Sequence, residues 1–131
     1  MSRGNVEIVN ASIDAHNRED WDAMLETTAP DFELDWSRSR GLRRGVYRRD
    51  QLRRFLVEFA ENWESVRIEP AEFIEAGDFV VVPQTTHATG RDGIELVGHV
   101  AMVYEMRGGK IQRISMYQER QDALEAVGFS E

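Results

Sequence analysis

The feature that most constrains this chain is a change of hydrophobic period partway along it. Over residues 50–63, Leu52, Phe55, Leu56, Phe59 and Trp63 recur at helical spacing, with Arg53, Arg54, Glu58 and Glu61 opposite them. Beyond that stretch the period becomes two. "VRIEPAEFIEAG", "DFVVVPQTTHAT", "IELVGHVAMVYEM" and "IQRISMYQE" read as successive strands, the last three separated by the turns "GRDG" and "RGGK". Pro70 marks an edge or a bulge in the first of these strands. Before the change, residues 5–17 predict a helix carrying Val6, Val9, Ile13 and His16 on one face, with Asn17 as its left-handed end. Asp20 predicts the N-cap of a second helix over 21–28, which Pro30 stops. A strand over 31–37 and a loop over 38–49 follow, and "DALEAVG" closes the chain as a short helix ended by Gly128. Helices followed by an antiparallel meander predict an α+β fold, in which a strongly curved sheet wraps a long helix into a cone.

The length, 131 residues, suits one domain, 1–131, with a core of its own. There are no cysteines, which removes disulfides and thiolate chemistry. No stretch approaches the ~18 apolar residues of a membrane span. The opening "MSRGNVEIVN" has no long apolar run, so a cytoplasmic protein without membrane partners is expected. A net charge of -8 argues against nucleic acid as a partner, because phosphate contacts need a basic surface. Arg38, Arg40, Arg43, Arg44, Arg48, Arg49, Arg53 and Arg54 nevertheless supply half of the 16 basic residues. They read either as an anion site or as a solvated face.

The element order and the segments "DAHNREDWDAMLETTAPDFELDW", "YRRDQLRRFLVEF", "VYEMRGGKIQRISMY" and "DALEAVGF" resemble the SnoaL-like branch of the nuclear transport factor 2-like superfamily. The resemblance covers nearly the whole chain. It implies the cone fold, often a homodimer through the sheet face, and a scaffold shared by ketosteroid isomerases, polyketide cyclases, other enzymes and binding proteins. Fold therefore does not give function.

The ketosteroid isomerase chemistry of that family needs a general base and an oxyanion hole of a tyrosine and a protonated aspartic acid. The resemblance puts those roles on Trp36, Ser12 and Met102, so all three are lost. Asp35 is one residue away from the base position, which in a strand means the opposite face. A cyclase needs an acid-base group such as Glu105, Asp35, His87 or His99, but alternation sets His99 and Glu105 outward if Met102 and Tyr104 point inward. His87 and His99 lie in adjacent strands and could pair across the sheet. An epoxide-hydrolase Asp-Arg-Asp set cannot be assembled on a common face.

Trp36, Val82, Gln84, Thr86, Met102, Tyr104 and Met116 are the expected ligand-binding wall, equally suited to filling the core. Gln84 and Thr86 are its orienting polar groups. His16 and Tyr47 join Asp35 as catalytic candidates, His16 because an unperturbed imidazole titrates near neutrality. Three scattered histidines make no metal site, and no cofactor is expected. Tyr117, His99 and Val103 form an outward surface that a homodimer would cover. The expected function is binding of a small hydrophobic molecule in the cone. The alternative is an isomerase, polyketide cyclase or hydro-lyase acting by acid-base catalysis on a small hydrophobic carbonyl compound.

Overall fold

The stripe read in residues 50–63 becomes helix α3, Arg49–Glu61, with Leu52, Phe55 and Leu56 buried. A computed structural model describes residues 4–39 and 43–129. In chain order the elements are α1 (Asn5–Asn17), α2 (Trp21–Glu26), β1 (Thr28–Asp35), β2 (Val46–Arg48), α3, β3 (Ser65–Pro70), β4 (Ile74–Ala76), β5 (Phe79–Thr89), β6 (Glu95–Arg107), β7 (Lys110–Tyr117) and α4 (Arg120–Ala126).

The described strands form one curved sheet of order β2-β1-β7-β6-β5-β3, with β4 also on β5. The α+β cone is as expected, but the sheet is mixed, because β1 runs parallel to β7. A parallel pair needs a long connection between its strands. Here α3 and the strands β2 to β6 provide it.

Alternation divides the long ladder into two faces. Inside, Val80, Val82, Met102, Tyr104, Ile114 and Met116 join Phe32, Leu34 and the helices α1 and α3 in one core. Outside, Val81, Ala101 and Val103 form a second, smaller core with Ala123 and Leu124 of α4. Val103 is therefore no part of an open outward surface: α4 covers it, while His99 stays exposed.

Local chemistry moves several boundaries. Helix α2 ends at Glu26, ahead of Pro30, because the hydroxyls of Thr27 and Thr28 donate to the carbonyls of Met24 and Leu25, each at 2.6 Å. Strand β1 consequently starts at Thr28, and Pro30 sits in its irregular stretch between Thr28 and Glu33. The first predicted long strand breaks after Pro70 into β3 and β4.

The left-handed residue after α1 is Glu19 (φ 56°), not Asn17. Asn17 has a longer-range task. Its Nδ2 donates to the Ile68 carbonyl and its Oδ1 accepts from the Ile68 amide, both at 2.8 Å. Strand β3 ends the sheet path, so this one side chain stands in for a neighbouring strand and ties α1 to the edge. Asn17→Ala removes both hydrogen bonds and should lower unfolding free energy by roughly 2 kcal/mol at about 1 each. Urea unfolding of the two proteins checks this, and an unchanged midpoint would show that the clamp contributes nothing.

Candidate functional site

The inner face of the sheet supplies most of the expected wall. Register aligns Met116 with Met102 and Met102 with Val82, so one row crosses three strands. The next row holds Ile114, Tyr104 and Val80. Gln84 lies further along β5 opposite Val100, and Thr86 opposite Gly98. Val82, Met102, Tyr104, Met116 and Gln84 are buried, and Thr86 is half-buried. Burial pushes the Tyr104 phenol far above its ordinary value, so it stays protonated at neutral pH.

Trp36 follows β1 on the same side as Phe32 and Leu34. Its indole meets Phe55 of α3 edge-on, with ring centroids 5.7 Å apart. Tyr47 contacts the same ring at 4.7 Å and Phe59 at 6.1 Å, so Phe55 is the hub of an aromatic group. The Tyr47 hydroxyl donates to the Arg43 carbonyl at 2.6 Å, and the Arg43 guanidinium lies 5.0 Å above the Phe55 ring. Tyr47 thus anchors its loop, and its hydroxyl is engaged with the backbone. No sequence signal singled out Phe55 as the hub, because its stripe marks it only as core.

Two buried oxygens on this wall have no hydrogen-bond partner among the described residues: Ser12 Oγ from α1 and Gln84 Oε1 from β5. Each such group costs about 1–3 kcal/mol when left unpaired. Ser12 was readable only as the place of a missing tyrosine, and the burial of its hydroxyl depends on how α1 docks. His16 lies one turn on from Ser12. Burial lowers its pKa, against a contact to Asn17 Oδ1 at 3.5 Å and the charge of Glu19, so the imidazole is neutral at pH 7. Its ring meets Trp21 edge-on at 5.7 Å.

Asp35 lies on the other face. Its Oδ1 accepts from the Ser37 amide at 3.0 Å and the Ser37 hydroxyl at 2.5 Å. Its Oδ2 accepts from Arg113 at 3.0 Å and Arg38 at 3.1 Å. Arg113 also pairs with Glu33. Burial pushes the Asp35 carboxyl up, but the Ser37 hydrogen bonds, Arg113 and the Arg38 charge outweigh it and hold the pKa at about 2. A carboxylate so held is a poor proton acceptor and a good structural counter-ion.

His87 and His99 do not pair across the sheet. His99 Nδ1 is 3.2 Å from the Thr85 hydroxyl, and His87 Nε2 is 3.4 Å from Glu69. Register sets His99 opposite Thr85 and His87 opposite Val97, which separates the two rings. Glu105 lies opposite Arg113 on the outer face.

The arginine run does not converge. Arg43 and Arg54 pair with Glu58, Arg53 with Asp22 and Arg48 with Asp50. Arg49 donates to the Thr28 hydroxyl and the Leu25 carbonyl. Arg40 lies outside the described residues. No group of three His, Asp or Glu among the described residues is arranged to hold a metal. Among the described residues, open depressions lie beside side chains other than those of the wall. One of about 470 Å³ lies beside Trp63, Arg91, Ile94 and Leu96, and one of about 520 Å³ beside Ile8, Arg18, Thr27 and Lys110.

The family model described as "SnoaL-like domain" matches residues 9–114. No curated protein sequence matches the chain. Among solved structures, TerC co-crystallised with polyporic acid is similar at 25% identity, covering 95% of this chain and 98% of that one, with a TM-score of 0.78. A candidate polyketide cyclase from Sinorhizobium meliloti is also 25% identical, over 84% of this chain and 93% of that one, with a TM-score of 0.65. A ketosteroid isomerase-like protein from Catenulispora acidiphila, in complex with trimethylamine, shares 18% identity at a TM-score of 0.76, over 95% of this chain and 94% of that one. At that identity the likeness concerns the fold alone.

The Asp35 pKa carries a stability consequence. A carboxyl whose folded pKa is depressed stabilises the fold above its unfolded pKa and loses that stabilisation as pH falls through the folded value. The window here runs from about 3.8 down to about 2. Asp35→Asn should flatten the decline of unfolding free energy across that window, measured by urea titration at several pH values. Parallel curves for the two proteins would mean that Asp35 is not the titrating counter-ion.

Proposed function

Because the chain belongs to the SnoaL-like domain family, we propose that it binds a small hydrophobic molecule against the inner face of its cone, with a donor group on the ligand satisfying Gln84 and Ser12. The observation that carries this reading is the pair of unpartnered oxygens, Ser12 Oγ and Gln84 Oε1, set in an otherwise apolar wall. Buried polar groups are nearly always paired by protein, water or ligand. A carbonyl oxygen such as Gln84 Oε1 accepts only, so the complementary ligand group is a hydroxyl, an enol or an N–H. Trp36, Met102, Tyr104 and Met116 supply flat and adaptable apolar surface around it. The rings of Trp36, Tyr47 and Phe59, gathered around Phe55, add half-buried aromatic surface against the same core.

The positions that the family resemblance assigns to isomerase chemistry support binding over that reaction. They hold Ser12, Trp36 and Met102, none of which ionises near neutral pH. A second reading, an enzyme acting by acid-base catalysis on a small hydrophobic carbonyl compound, draws on His16. Its burial keeps the imidazole neutral and able to take a proton. Conversion of a bound hydrophobic ketone that stops in His16→Asn while binding persists would move the protein to that reading.

Polyporic acid, the molecule co-crystallised with TerC, is a suitable first probe. Titration should quench tryptophan fluorescence in the wild-type protein. Gln84→Leu should weaken binding roughly fivefold to tenfold, the value of about 1 kcal/mol for one hydrogen bond. Saturable binding that ignores both Gln84→Leu and Ser12→Ala would place the ligand elsewhere. No quenching by polyporic acid or by a panel of hydroxylated aromatics would remove the proposal.

A further inference from the structure

One arginine of the run from Arg38 to Arg54 is held in an unusual way. Arg43 has a backbone φ of 72°, in the left-handed region that residues with a side chain disfavour. Its loop is fastened from two sides. The Trp36 amide donates to the Gly45 carbonyl at 2.8 Å, and the Tyr47 hydroxyl donates to the Arg43 carbonyl at 2.6 Å. The side chain folds back over α3, with its guanidinium 5.0 Å from the centre of the Phe55 ring. Residues kept in such a conformation persist where their surroundings over-determine them, and they gather at ligand sites.

The guanidinium is partly engaged. Nη2 donates to Glu58 Oε2 at 3.2 Å, whereas Nε is buried and has no hydrogen-bond partner among the described residues. A guanidinium cannot shed its proton to relieve that deficit. Glu58 is shared as well, because its Oε1 accepts from Arg54 Nε at 2.8 Å. One carboxylate thus serves two guanidinium groups, and the three side chains together keep a positive charge. That charge lies beside the rings gathered around Phe55. The Arg43 side chain is 28% exposed, so it borders both solvent and the core. Trp36 links this corner to the wall: it packs on Phe55 and joins the core that contains Met102 and Met116.

We propose that the Nε–H of Arg43 takes an anionic oxygen of the ligand, a carboxylate or an ionised acidic hydroxyl carried on an aromatic ring that packs among Trp36, Tyr47 and Phe59. The proposal rests on the reading of the inner face as a binding wall and narrows its ligand to an aromatic acid. A hydrogen bond from a guanidinium to an anionic oxygen is roughly twice as strong as one between neutral groups. Flat rings suit the exposed parts of the indole and the phenol. The ligand then carries two polar groups of opposite kind. A donor meets Gln84 Oε1, and an anionic acceptor meets Arg43 Nε. A purely apolar molecule would leave both buried groups unpaired.

Calorimetric titration with two naphthalenes tests this. 2-Naphthol carries the donor alone, and 6-hydroxy-2-naphthoate carries the donor and a carboxylate. At pH 7 the wild type should bind the naphthoate roughly tenfold more tightly. Arg43→Met should erase that difference by lowering affinity for the naphthoate. Arg43→Gly should do the same. Glycine adopts a φ of 72° freely, so this variant keeps the test sound if methionine disturbs the loop. Gln84→Leu should weaken both compounds alike. Equal affinity of the wild type for the two compounds, with both weakened by Gln84→Leu, would overturn the proposal and leave the wall standing. So would a preference for the naphthoate that survives in both Arg43 variants, or an equal weakening of both compounds by them, which marks a merely structural arginine. Binding of neither compound would overturn the wall and the proposal together.

Discussion

The unbroken ladder between β5 and β6 is the constraint on which the other arrangements rest. Eleven consecutive residue pairs run from Phe79 opposite Glu105 to Thr89 opposite Glu95, without a bulge. With a side-chain period of two, that register assigns every residue of both strands to a face. Val80 and Val82 go to the helices and Val81 to α4. A slip of one residue would bury His99 and expose Met102, with every other assignment reversed along with them. Strand β7 extends the same parity to Ile114 and Met116, and β1 extends it to Leu34.

The two faces then solve the problem of burying polar groups differently. On the outer face Asp35 is buried and fully engaged, with Ser37 on one oxygen and two guanidinium groups on the other. The hydrogen bonds and the two guanidinium charges offset the desolvation of this carboxylate, which stays ionised down to about pH 2. On the inner face Ser12 and Gln84 are buried and unengaged in an apolar setting. The acidic residue that would invite a catalytic interpretation is thus a structural ion, and the neutral residues carry the unsatisfied valence.

The edges of the sheet show the same economy of means. At one end the Asn17 amide completes the backbone of β3. At the other, the short β2 lies along β1. Between them the hairpin tip projects past β7 with neither device. Among the described residues, exposed apolar side chains and backbone groups without a ladder partner coincide there.

How much of this could be read from the residues alone depends on the range of the contacts. The stripe from Leu52 to Trp63 and the alternation of "DFVVVPQTTHAT" and "VAMVYEM" are local patterns, and they determined α3, β5, β6 and the cone. Alternation over 32–36 likewise separates Trp36 from Asp35, because neighbours in a strand cannot share a face. The partners of each face were a different matter. Arg113 reaches Asp35 across 78 residues and Asn17 reaches Ile68 across 51, through a parallel pairing and a helix docking that leave no periodic trace. The cover that α4 places over Val103 is of the same kind. Sequence by itself determined the period, the parity and the family, because those are properties of neighbouring residues. Tertiary structure decided which buried polar groups are satisfied, because that depends on what lies opposite once the sheet has curved.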